Sequence, residues 1–234
     1  GNDGLPAGDG VAIKAKDVVR HVGPPGIGSD FGGSLLKHIE QELEYRPYDI
    51  SDFKTFEDAV DGITGLAETK RPPDFFVFAY DWRKDAAANA DALEEYVNKI
   101  LSKHADADSV DIIAHSMGGL VSRKFMQKNK DIVGKLILVG APLLGATKAV
   151  YSKREGDLDE MALNFIINQE TGQKIVRYMA GLDQLMPTKA AFKLGLRPLW
   201  EHGVDLNGDG HSFGSLRYEH YKDFLDASLY PAEP

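Results

Sequence analysis

The chain has 234 residues, 43% of them hydrophobic, with a formal net charge of −9 and no cysteine. That length suits one α/β domain, or one core with a small appended cap. The charge argues against a nucleic-acid binder, which carries a concentrated basic face. The missing cysteines exclude disulfides and thiolate metal sites, and no segment approaches the ~20 apolar residues of a membrane helix.

The chain opens on GNDGLPAGDG, without an initiating Met or a signal peptide, and is expected to be a fragment or a processed product. Residues 1–34 are loop-rich, with five Gly and two Pro in GPPGIGSDFGGS. A helix is predicted through LLKHIEQEL (35–43). Residues 45–74 are mixed and end at Pro72-Pro73, a break before a new element. The aromatic run DFFVFAYDW (74–82) reads as a buried strand. DAAANADALEEYVNKIL (85–101) reads as a helix, with Asp85 as N-cap and Leu93, Val97 and Ile100 on one face. SVDIIAH (109–115) is a second strand, and Met117 to Asn129 a helix with Leu120, Val121 and Phe125 inward. KLILVGAP (135–142) is a third strand.

Near-continuous apolar strands alternating with helices predict an α/β fold with a mostly parallel sheet, buried on both faces, and flanking helices. After Pro142 the pattern changes. LDEMALNFII and QKIVRYMAGL read as amphipathic helices with no strand between them, and the tail is rich in Gly and Asp, with a last helix near YEHYKDFLDASL. The expected organisation is a partial core over 1–150, a helical cap or lid over 151–195, and a tail over 196–234 with a terminal helix.

Ala114-His115-Ser116-Met117-Gly118 fits the small-x-Ser-x-small pattern of a nucleophile elbow, with Ala114 in the first small position and Gly118 in the second. The Ser sits on a strained strand-to-helix turn, so small residues on either side let the two backbones pass closely. The N–H of Met117 then faces a developing oxyanion, aided by the field of the helix N-terminus. The alternative is a serine that merely caps the helix. His115 adjoins Ser116, but successive strand residues point to opposite faces, so it is not expected to be the base.

FFVFAYDWR (75–83), VDIIAHSMGGLVSR (110–123) and KLILVGAPLLGA (135–146) together resemble the lecithin:cholesterol acyltransferase family, which includes phospholipid:diacylglycerol acyltransferases and bacterial lipase-like relatives. Tyr80-Asp81-Trp82-Arg83 ahead of A-H-S-M-G-G is more specific than the elbow alone, and YMAGLDQLMP (178–187) is similar to the stretch after that family's lid region. The resemblance implies an α/β-hydrolase-like fold and a serine hydrolase or acyltransferase of the lipase/esterase kind. Ser116 would take an acyl group from a lipid or other acyl ester and pass it to water or an alcohol. Tyr80, Asp81, Trp82 and Arg83 would lie beside Ser116. The structural alternative for that turn is aromatic packing with an Asp81–Arg83 ion pair. Transient contact with a membrane surface is compatible with such a substrate.

The family's pattern is incomplete here. The early oxyanion loop has its nearest counterpart in DVVRHVGPPGIGS (17–29), where Val18, Val19 and Val22 could form a strand, but the register fits poorly. After Ser116 the histidines are His202, His211 and His220, and Asp209 with His220 satisfies the order serine, acid, histidine. The larger expectation is that the acid- and His-bearing strands lie beyond residue 234, leaving this chain weakly active or inactive. The rival reading is a non-catalytic α/β-hydrolase-like module that binds a lipid or a protein.

DLNGDG (205–210) matches the first half of a calcium loop, making Asp205, Asn207 and Asp209 candidate Ca²⁺ ligands, but Leu216 stands where a bidentate acid belongs. An Asx- and Gly-rich turn is the alternative. No other cofactor is expected. GAPLLGATK has Ala146 where a phosphate-binding loop needs Lys, and GIGSDF lacks the third Gly of a dinucleotide fingerprint; both are rejected.

Overall fold

The computed structural model describes residues 15–18, 20–22, 29–30, 32–66, 72–156, 172, 174, 176 and 178–194. These residues fall into two compact units that divide between Ala141 and Pro142.

In the first unit, strands β1 (His21–Val22) and β2 (Ser29–Asp30) form a short antiparallel pair, followed by helix α1 (Gly33–Gln41). Helix α2 (Phe56–Gly62) lies in the stretch that carried no clear sequence pattern. Its start is fixed by a capping box. The Thr55 hydroxyl accepts from the Asp58 N–H at 3.1 Å, and the Asp58 carboxylate accepts from the Thr55 N–H at 3.0 Å.

Helix α3 (Ala86–Ser102) begins where Asp85 accepts from the N–H groups of Ala87 and Ala88, both at 2.8 Å. Its inward face is Ala90, Leu93, Tyr96, Val97 and Ile100, which pack with Phe56, Ile63, Val121 and Phe125 into one apolar core. Strand β3 (Val110–His115), helix α4 (Gly118–Asn129) and strand β4 (Val133–Val139) follow. Val121 and Phe125 bury the core-facing side of α4, as their spacing requires. β3 and β4 are parallel, with Ile113 opposite Ile137 and His115 opposite Val139. This β-α-β crossover establishes the α/β fold.

Two expectations are corrected. Among the described residues, 74–82 carry no strand ladder; their one strand-type pairing is a parallel bridge between Pro47 and Phe75, with the Tyr48 N–H donating to the Phe75 carbonyl at 2.8 Å. The segment is held by side chains instead. The Tyr96 hydroxyl donates to the Val77 carbonyl at 3.1 Å, tying the segment to α3 rather than to a neighbouring strand. Phe76, Phe78 and Tyr80 pack against the core beside it. Nor is the sheet covered on both faces among the described residues. Ile113, Ile137 and Val139, on the side away from the core, are 47%, 48% and 42% exposed.

In the second unit, the loop after β4 is laced to a later segment. The Ala146 N–H donates to the Leu185 carbonyl at 2.7 Å, and the Thr188 N–H to the Leu144 carbonyl at 2.9 Å. Helix α5 (Thr147–Glu155) ends on Gly156 in the left-handed conformation, and short helices span Ala180–Asp183 and Lys189–Lys193. The Lys153 ammonium is buried against the Asp183 carboxylate at 2.7 Å. Residues 157–171 of the expected lid, and all of 195–234, lie outside the described residues.

Candidate active site

β3 ends at His115 and α4 begins at Gly118, so the chain must reverse from strand to helix in two residues. Ser116 absorbs the turn with φ of 50°, in the left-handed region that a non-Gly residue rarely adopts. Such a conformation costs of the order of 1–3 kcal/mol and persists only where surrounding structure imposes it. Here the imposing contacts are visible. The Ser116 N–H donates to the Val139 carbonyl at 2.9 Å, and the Ser116 carbonyl accepts from the Gly119 N–H at 2.9 Å.

The side chain is exposed, and among the described residues nothing hydrogen-bonds its hydroxyl. A serine that capped α4 would use that hydroxyl on an N–H of the first turn; no side-chain cap bond exists there. Met117 is buried with helical backbone at the N-cap position, and its own N–H donates to no described group.

The small residues around Ser116 differ in how tightly they are packed. Ala114 is buried beneath the turn. A Cβ on Gly118 would stand 3.7 Å from the Tyr80 hydroxyl, an ordinary contact. The tight position is Gly119, where a Cβ would lie 2.3 Å from the Ala141 Cβ and 3.2 Å from Leu138 Cδ2. Close passage of α4 over β4 therefore depends on the second glycine of M-G-G, a residue the five-residue pattern does not include.

Tyr80, Asp81, Trp82 and Arg83 form a half-buried turn leading into α3. Arg83 donates through Nε and Nη2 to the two Asp81 carboxylate oxygens, both at 2.7 Å, and through its backbone N–H at 3.1 Å. Burial pushes the Asp81 carboxyl up, but the Arg83 hydrogen bonds and charge outweigh it and hold the group below the usual carboxylate value. The same hydrogen bond raises Arg83. Asn89, buried on α3, completes the clamp by donating through Nδ2 to the Asp81 carbonyl at 3.0 Å and the Lys84 carbonyl at 3.4 Å. The Tyr80 ring stacks on Phe78 with centroids 5.7 Å apart, and burial pushes its phenol up to about 12.

His38, His104 and His115 make no hydrogen bond to Ser116. His38 pairs with Glu42 at 3.0 Å, and His104 contacts the Ile100 and Pro73 carbonyls at 2.8 and 2.6 Å. His115 lies opposite Val139 on the exposed sheet face and makes no described hydrogen bond. Asp205, Asn207, Asp209 and His220 lie outside the described residues. No described helix is long and apolar enough to cross a membrane.

A parallel strand, a serine in left-handed backbone and a helix packed through glycine define the α/β-hydrolase class of architecture. The profile of the lecithin:cholesterol acyltransferase family matches residues 67–216, more than half of the chain, and the chain belongs to that family. The family is one of lipid acyltransferases and related hydrolases. A stretch of 65 residues is also 38% identical to the uncharacterized protein YJR098C of Saccharomyces cerevisiae, covering 28% of this chain and 10% of that protein.

Proposed function

We propose that Ser116 is the nucleophile of an acyl-transfer reaction on a lipid ester, proceeding through an acyl-enzyme. The observation that carries this reading is the left-handed backbone of Ser116 at the β3–α4 turn, with its hydroxyl exposed and unengaged. In the reaction, Ser116 Oγ adds to the ester carbonyl as a base takes its proton. Negative charge develops on the carbonyl oxygen, and the Met117 N–H donates to it. The N-terminus of α4 supports that charge. Collapse expels the alcohol or lysolipid, and water or an acceptor alcohol then attacks the acyl-enzyme. Family membership supports a lipid as the acyl donor.

The Asp81–Arg83 pair and Asn89 hold the turn beside α4 rather than reacting themselves, since both charged groups spend their hydrogen bonds on each other. Asp209 and His220 follow Ser116 in the order this chemistry uses, and they are the pair to substitute in a search for the acid and the base.

The test is to trap the acyl-enzyme. The protein is mixed with p-nitrophenyl butyrate, quenched in acid and digested. A butyryl group on the peptide containing Ser116 is expected. A full time course with no acyl group on that peptide would favour the non-catalytic lipid- or protein-binding reading.

A further inference from the structure

The Tyr80 hydroxyl makes no hydrogen bond with any described residue, although its ring is packed against Phe78 and the apolar core. A half-buried phenol with no protein partner keeps its O–H free to donate to water or to a ligand. The oxygen is not sealed in, because the single fully enclosed side-chain polar atom without a partner, among the described residues, is Nη1 of Arg46.

Its position is informative. Side chains on a helix tilt toward the N-terminus, so the Cβ direction of Gly118 points back toward the Ser116 turn. The Tyr80 oxygen lies 3.7 Å from that Cβ position, at the end of α4 where the Met117 N–H donates to no described group. We propose that the Tyr80 hydroxyl is a hydrogen-bond donor to the ester carbonyl oxygen of the substrate, joining the Met117 N–H as negative charge develops. The assignment rests on Ser116 being the nucleophile. Tyr80 keeps its proton throughout; it donates a hydrogen bond and transfers nothing. Its raised pKa suits that role, since a phenol at about 12 stays neutral at any working pH.

The test is the rate at which a fluorophosphonate modifies Ser116, followed by intact mass in the wild type, Tyr80→Phe and Ser116→Ala. Tyr80→Phe keeps the ring and removes only the donor. It should slow modification by roughly 100- to 1,000-fold, on the order of the loss of one oxyanion donor, and in ester turnover lower kcat more than it changes KM. A rate within twofold of wild type, in a variant with unchanged melting temperature, overturns the assignment. A second measurement needs no variant. In protein carrying ¹³Cζ-tyrosine, the Tyr80 signal should move when Ser116 is phosphonylated, because the phosphonyl oxygen occupies the carbonyl position; a stationary signal overturns the proposal. Wild-type protein unmodified at Ser116 refutes the nucleophile itself, and the Tyr80 role with it.

Discussion

The N–H of Ser116 donates to the carbonyl of Val139 at 2.9 Å, so the residue that bends out of the sheet also ties the end of β3 to β4. With the return bond from Gly119 to the Ser116 carbonyl, this holds a serine in backbone that glycine would adopt freely.

That strain makes a prediction independent of activity. Ser116→Gly should stabilise the fold relative to Ser116→Ala, by about 1 kcal/mol, because glycine removes the left-handed penalty while alanine keeps it. Urea unfolding of the two variants checks this. Equal midpoints would mean that the turn is not held under strain.

Gly119 should tolerate no side chain. Gly119→Ala places a methyl 2.3 Å from the Ala141 Cβ, and neither atom can rotate away. Overpacking of this kind costs about 1–3 kcal/mol. Gly118→Ala, with 3.7 Å to the Tyr80 hydroxyl, should cost less. The order of the two melting temperatures is the readout.

The Asp81 turn gives a prediction in acid. The carboxyl lies below its ordinary value in the folded protein, so its contribution is present above the unfolded-state pKa and is lost as pH falls through the folded value. Asp81→Asn should therefore flatten the decline in stability below about pH 4. Asn89→Ala strips donors from two carbonyls and should destabilise by about 1–3 kcal/mol at neutral pH. Denaturation curves across pH separate the two effects.

Tyr80 gives the alkaline counterpart. Burial raises its phenol from 10.0 to about 12, so between those values the unfolded chain releases a proton that the folded chain keeps. Its stabilising contribution is intact below pH 10 and is lost as pH rises toward 12. Tyr80→Phe should remove that slope, which stability measurements from pH 9 to 12 will show.

The elements that were legible in the sequence share a physical signature. α3 announces itself through Asp85 and the Leu93–Val97–Ile100 stripe, and β3, α4 and β4 through apolar strands around a small-residue turn. Residues 74–82 look like a strand because their aromatic run is buried, but a side-chain hydroxyl from Tyr96 takes the Val77 carbonyl, and no local pattern reveals so distant a bond. α2 was hidden by its short, mixed composition, although T-F-E-D, its capping box, was there to be read. Asn89 in an Ala-rich helix looks neutral; its role emerges only when the Asp81 turn folds back over it. The strand-to-helix turn at Ser116 was readable from spacing, whereas the tight packing at Gly119 and the orientation of Tyr80 needed the packing of α4 on its neighbours.

The chemistry proposed for this site depends on the nucleophilicity of Ser116. The most direct measurement is peptide mapping by mass spectrometry of wild-type and Ser116→Ala protein after exposure to an alkyl fluorophosphonate. One phosphonyl group is expected, on the wild-type peptide containing Ser116, and none on the variant. An unmodified Ser116 peptide, or equal modification of both proteins at another residue, would contradict it.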